Sequence, residues 1–321
     1  MRLLNYLIMA SLLLIAPSTG TLAADYPNRL ITIIVPYPPG GGSDLVARLF
    51  GSFINRRLKQ NVVVENRPGG LAIIGHSVVA SARPDGYTLG LTAPNLTTMK
   101  ATMKTPRLDA ERNFEPISQL TESPYLVAVN ASLPVKTMTD FINYTQANAG
   151  KLNYGYINGG AAFFTIELLR KRAKLDMVGV PFGGSMPIVT SLSQNEVQFT
   201  LDAAITLNPF IESGQIRPIA VTTSRRVAPF MDLPTVAESG IPDFDASFWF
   251  GLLAPAGTPP EIIKTLAGEA AAYANDPEIV RRLTDLGYIP VGSSPEAFRD
   301  KIRKEVAQWN DISTSIGFER H

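Results

Sequence analysis

Residues 30–35 are an apolar, β-branched run that stops at Pro36, and after three glycines the chain enters a helical pattern over residues 43–58. Leu45, Val46, Leu49, Phe50, Phe53, Ile54 and Leu58 share one face at the helical period. A buried strand that turns through glycines into an amphipathic helix opens a βα unit, and no other feature constrains the fold class as much. The pattern continues with a strand at 62–64, a helix at 73–82 and a strand at 87–91. This β-α-β-α-β order predicts a mainly parallel sheet with helices on both faces.

A second unit of the same kind follows a break. It has strands at 126–129, 152–156, 177–180, 197–201 and 216–222, with helices at 139–149, 163–172 and 188–192. Three more helical patterns, 261–274, 277–286 and 295–309, start from proline, which suits a first helical turn. Packed back onto the first unit, they make the second unit an insertion. The expected division is a first lobe of residues 24–123 plus 226–321 and a second lobe of residues 124–225. The crossings are placed near 122–124 and within 225–248.

Residues 1–23 read as an export leader. Arg2 precedes an apolar run over 3–16, Pro17 and Gly20 break it, and Thr21 and Ala23 stand at the −3 and −1 positions of a cleavage site. The run is shorter than the roughly 20 residues of a membrane span. Formal net charge is +1 and Arg2 belongs to the leader, so the mature chain is near neutral, with no basic stripe suited to nucleic acid. The absence of cysteine excludes disulfides, thiolate metal sites and a lipid-modified cysteine. Two histidines, His76 and His321, are too few for a zinc cluster.

Three strand–glycine–helix junctions carry the chemistry. The first is Val-Pro-Tyr-Pro-Pro-Gly-Gly-Gly-Ser-Asp at 35–44, the second Tyr-Ile-Asn-Gly-Gly-Ala-Ala-Phe at 156–163, and the third Val-Pro-Phe-Gly-Gly-Ser-Met-Pro at 180–187. Glycine lets backbone approach a ligand closely, and the first N–H groups of a helix have no partner within it. Together with the helix dipole they hold an anion without a basic side chain. The first junction lacks the Gly-Lys-Ser/Thr ending and the Gly-x-Gly-x-x-Gly spacing of nucleotide loops. Asp44 is read either as a helix cap or as the partner of a donor on the ligand. No Gly-x-Ser-x-Gly or His-Glu-x-x-His occurs, and no spacing pairs two carboxylates.

In this order and spacing the motifs resemble the substrate-binding proteins of tripartite tricarboxylate transporters, also called the Bug family. The likeness rests on 35–44 with Ala47 and Arg48, on Glu-Asn-Arg-Pro-Gly-Gly at 65–70, and on Arg-Pro-Asp-Gly-Tyr-Thr-Leu at 83–89. It continues through Gly-Lys-Leu-Asn-Tyr at 150–154, Pro-Thr-Val-Ala-Glu-Ser-Gly at 234–240 and Ala-Pro-Ala-Gly-Thr-Pro at 254–259. The resemblance implies an α/β, two-lobe periplasmic-binding-protein fold of the type II-like kind with two crossover strands, and a carboxylate held in the interlobe cleft. Carried over, the ligand residues are Tyr37, Gly40, Gly41, Ser43 and Asp44, with Asn95 facing them; Gly159, Gly160, Ala161 and Phe163; and Phe182, Gly183, Gly184, Ser185 and Asp202. Family members usually place Thr or Ser where this chain has Ala161 and His where it has Phe163, so an apolar or aromatic acid is expected rather than a citrate-like one. No metal or organic cofactor is implied. The implied partners are the membrane subunits of a cation-coupled importer, and a monomer is expected.

Two other readings compete: a co-receptor that docks onto a membrane sensor kinase, and a secreted hydrolase using Ser43 or Ser185. Intact mass of protein recovered from the periplasm should show a mature start at Ala24 or Asp25, whereas full-length chain held in membranes would contradict the leader reading.

Overall fold

The computed structural model describes residues 26–320, so the leader lies outside the described residues. The strands are β1 (Ile31–Val35), β2 (Val62–Asn66), β3 (Thr88–Thr92), β4 (Phe114–Asn130), β5 (Asn153–Tyr156), β6 (Val178–Pro181), β7 (Phe199–Ala203), β8 (Ile216–Val221), β9 (Ser247–Pro255) and β10 (Ile289–Pro290). The helices are α1 (Gly42–Leu58), α2 (Ile73–Ala80), α3 (Asn95–Thr102), α4 (Met138–Ala147), α5 (Ala161–Ala173), α6 (Ser185–Ser193), α7 (Ala204–Glu212), α8 (Pro260–Asn275), α9 (Pro277–Asp285) and α10 (Pro295–Ser315). Among the described residues no helix is long and apolar enough to cross a membrane.

The strands run in the order β2-β1-β3-β9-β4-β7-β5-β6, with β10 and β8 also paired to β4. The outer pairs are parallel, β1 with β2 and β3, and β5 with β6 and β7. The inner pairs around β9 and β4 are antiparallel. The mainly parallel expectation therefore holds for the two wings, not for the middle. β4 spans both halves: residues 114–124 pair with β9, and residues 125–130 pair with β7 and β8.

Each half of the sheet is covered on both faces. In the first lobe, Phe50 and Phe53 of α1 meet Tyr273 of α8 edge-on at 5.3 and 5.6 Å. The opposite face buries Leu96, Met99, Trp249, Phe298 and Ile302. In the second lobe, Phe141, Phe164 and Phe199 fill one face, and Val189, Leu192 and Leu207 the other. Burying one such side chain is worth about 1.5–3 kcal/mol, which makes these four clusters the principal support of the fold.

Residues 226–246, grouped by sequence with the first lobe, pack elsewhere. Val236, Ile241, Phe244 and Ala246 are buried in the core of the second lobe, and Val221 forms a parallel bridge with Thr235. The second crossing is thus at Ala246–Ser247. The aperiodic segment before it is an irregular strap, held by scattered apolar contacts instead of a helix face. α10 also departs from the expected division: Phe298, Ile302 and Val306 sit in the first lobe, but Trp309 and Ile312 join the second-lobe core.

The crossings are tied together at Thr222, which is fully buried. Its hydroxyl accepts from the Tyr125 N–H at 3.0 Å and donates to the Ala246 carbonyl at 2.7 Å. Nearby, Ser247 donates to Glu122 at 2.6 Å, and Lys301 of α10 pairs with Glu122 at 3.3 Å. Replacing Thr222 with the isosteric Val leaves two buried backbone groups unpaired. It should lower unfolding free energy by about 1–3 kcal/mol in urea titration, with Thr222→Ser retaining most of it.

Candidate functional site

Where the strands of the two lobes end, a cavity of about 650 Å³ opens between them. Its first-lobe wall is the loop from β1 into α1, with Tyr37, Gly41 and Ser43, joined by Asn95 at the start of α3. Its second-lobe wall comes from the starts of α5, α6 and α7, with Gly160, Ala161, Ser185 and Asp202. The floor lies over the crossings. Rings of Tyr125, Phe248, Phe250 and Tyr288 follow one another there at 6.3, 5.0 and 5.7 Å between centroids.

The helices that begin at this cavity lack side-chain caps. Gly41 precedes α1, Gly160 precedes α5, Gly184 precedes α6 and Ala203 precedes α7, and none supplies a capping oxygen. Elsewhere, α4 has a Thr137–Asp140 capping box and α9 and α10 are capped by Asp276 and Ser294, while α2, α3 and α8 also lack a side-chain cap. A helix start leaves about four N–H groups without intrahelical partners. Around the cavity those groups remain available to a ligand, and the dipole of each helix favours negative charge there. Glycine at position 42 is required by space, since a Cβ there would collide with the Tyr288 hydroxyl.

The first-lobe loop is fastened from behind. Asp44 is buried, accepts the Gly40 N–H at 3.1 Å and is gripped by Arg48 at 2.9 Å through both oxygens. The Arg48 hydrogen bond holds the Asp44 carboxyl below its usual range. Asn66 donates to the Tyr37 carbonyl at 3.1 Å, the Tyr37 hydroxyl donates to Asn95, and Asn95 donates to the Leu71 carbonyl at 3.1 Å. Asp44 therefore braces the loop, with Gly40 in the left-handed region at φ +85°.

Of the expected site residues, Tyr37, Gly41, Ser43, Asn95, Gly160, Ala161, Phe163, Ser185 and Asp202 line the cavity. Gly40, Asp44, Gly159, Phe182, Gly183 and Gly184 are not among the lining residues. Gly159 instead packs against Thr102, and the Phe182 ring lies against Gly155. Phe163 is both wall and core: it is buried, its ring lies 4.7 Å from that of Tyr156 and 5.7 Å from that of Phe318. Sequence reading missed Tyr125, Tyr156, Thr206, Phe248, Phe250 and Tyr288. Tyr125 and Phe248 adjoin the crossings it had located, which is the signal that marks them.

Asp202 is the one charged side chain among the described lining residues. Burial raises its pKa, opposed by hydrogen bonds from Ser185, the Ala203 N–H and Thr206. Among the described lining residues, no histidine or lysine accompanies the serines. His76 is buried away from the cavity, 3.0 Å from the Thr92 hydroxyl, with its pKa driven down to about 4 by burial.

Residues 46–318 match the family described as tripartite tricarboxylate transporter family receptor. Protein BugT of Bordetella pertussis is 30% identical over 299 residues, covering 92% of this chain and 91% of BugT. A Rhodopseudomonas palustris structure, Rpa4515 with adipate, is 32% identical at TM-score 0.75, covering 91% of this chain and 99% of that one. MatC of the same organism with bound malate is 29% identical at TM-score 0.72, covering 90% and 100%.

Removing the brace tests the loop's role. Asp44→Ala should cost about 1–2 kcal/mol of stability through the lost charged hydrogen bonds. Because the folded carboxyl titrates below its usual value, that contribution is present above about pH 4 and fades as pH falls through the folded pKa. Thermal melts of both proteins between pH 3 and 7 should therefore converge at the acid end.

Proposed function

This chain belongs to the tripartite tricarboxylate transporter receptor family, a family of solute-binding receptors and not of enzymes, and we propose that it captures one small organic acid in the cleft and presents it to the membrane subunits of such an importer. The observation that carries this reading is the ring of uncapped helix starts around a cavity whose described lining residues include no cationic side chain. Such a wall can bind a carboxylate through oriented N–H groups, each charge-assisted bond contributing about 1.5–3 kcal/mol. A few of them, less ordering costs, reach micromolar affinity near about −8 kcal/mol. The adipate and malate bound by the relatives support the carboxylate class. Site of action is the periplasm, in keeping with the family and with the leader pattern.

The body of the acid is apolar or aromatic in this reading. Ala161 puts a methyl group at the start of α5, Phe163 follows two residues later, and aromatic rings pave the floor. A citrate-like hydroxyl would find no partner at Ala161, and an unpaired buried polar group costs about 1–3 kcal/mol. An aromatic ring gains about 0.5–1.5 kcal/mol from each well-placed ring contact. Calorimetry on the mature protein should find benzoate-type acids with micromolar Kd and citrate at least about tenfold weaker, the equivalent of about 1.4 kcal/mol. If citrate bound best and Ala161→Thr changed nothing, the ligand assignment would be wrong.

A further inference from the structure

The two ends of the cavity are not alike. At the first-lobe end, the α1 start offers backbone donors and the neutral hydroxyl of Ser43, and the nearby acid, Asp44, is turned to Gly40 and Arg48. Across from it, the α5 start offers the N–H groups of its first residues, Ala161 and Ala162, again with no charge. The starts of α6 and α7 differ, because the protein has placed its own carboxylate there. Asp202 is the next-to-last residue of β7, directly before Ala203, the N-cap of α7; it pairs across the sheet with Leu126 and accepts the Ala203 N–H at 2.7 Å. The side chains of Ser185, first residue of α6, and Thr206, in the first turn of α7, lie beside it and favour its charged form.

We propose that Asp202 is the specificity-determining residue of the cleft, reserving its second-lobe end for a hydrogen-bond donor, so that the ligand carries a single carboxylate at the α1–α5 end and a hydroxyl or amino group at the other. A carboxylate has about four acceptor positions. The Ala203 N–H takes one of them, and Asp202 lines the cavity, where a further position can be met from the ligand. A donor from the ligand fills that position. A second ligand carboxylate would instead face Asp202 with no arginine, lysine or histidine among the described lining residues to offset the repulsion, and like charges in contact are strongly disfavoured. Burial has already made the Asp202 charge costly. An incoming donor relieves that cost, and an incoming anion adds to it.

This inference rests on the carboxylate-capture reading, and one experiment separates their failures. Calorimetry with the mature chain would compare two matched series: adipate, 6-hydroxyhexanoate and 6-aminohexanoate; and terephthalate, 4-hydroxybenzoate and 4-(aminomethyl)benzoate; with citrate alongside. In whichever series binds, a donor-ended acid should bind at least about tenfold tighter than its dicarboxylate. Asp202→Asn, which keeps the shape but removes the charge, should collapse or invert that ratio. A dicarboxylate or citrate binding wild type as tightly as the donor-ended acids overturns the inference and leaves carboxylate capture standing. A donor preference that survives Asp202→Asn removes Asp202 from the assignment. The wild-type ratio decides the ligand class even if the variant fails to fold. Absence of binding by every acid sinks the capture reading and this inference together.

Discussion

Everything in this molecule hangs from the hydrogen-bond ladders of one strand. β4 is 17 residues long and pairs with β9 and β10 over its first part and with β7 and β8 over its second. Each lobe therefore contains a piece of the same backbone, and neither sheet is complete without it. Strands this long are uncommon, and this one is tolerated because both faces are buried and its edges are paired, so few polar groups are stranded. Its midpoint, around Pro124 and Tyr125, is where the ladder changes partners, and there the Thr222 hydroxyl replaces a missing backbone rung. The cavity floor forms at that same midpoint, so the ligand site and the junction of the lobes are one place.

The walls follow from the wings. Parallel strands send their carboxyl ends to one edge, and the helices that follow start there with their N–H groups outward. Four of those starts, on α1, α5, α6 and α7, have no capping side chain, as is also true of α2, α3 and α8, whereas α4, α9 and α10 are capped. A cap is worth about 1 kcal/mol, so its omission at four neighbouring positions costs stability that a bound anion restores. Asp202 modifies this scheme: two of the four starts, those of α6 and α7, already have a carboxylate beside them. The remaining pair, on α1 and α5, lies on opposite lobes, and a ligand bridging them joins the lobes as it binds.

Much of this was legible in the chain. The β1–α1 junction announced itself because Ile31, Ile33 and Ile34 are β-branched and the glycines interrupt them just where the helix face begins. Proline marked the starts of α8, α9 and α10. What escaped shares a physical cause. α3 is Asn-Leu-Thr-Thr-Met-Lys-Ala-Thr, threonine-rich and buried nearly all round, so it shows no polar face. α7 contains Pro209, which argues against a helix interior until tertiary packing overrides it. The first half of β4 and all of β9 are buried on both sides, and the alternation that marks a half-exposed strand is absent. In the site, the glycine loops were visible and the floor was not. Tyr125, Phe250 and Tyr288 come from distant stretches, and only the folded sheet brings their rings together.

The course of α10 has an optical consequence. The chain holds two tryptophans. Trp249 is locked in the first lobe, fully buried, with its indole N–H donating to Glu305 at 2.8 Å. Trp309 sits where α10 passes into the second-lobe core, its ring stacked 6.2 Å from that of Phe164, on the same helix whose first residues line the ligand cavity. A rotation of the second lobe against the first changes the surroundings of Trp309, at the seam, more than those of Trp249, which packs within the first-lobe core. Intrinsic emission from this protein is therefore the sum of a steadier reference and a sensor at the seam, and Trp249→Phe would isolate the sensor without an added dye.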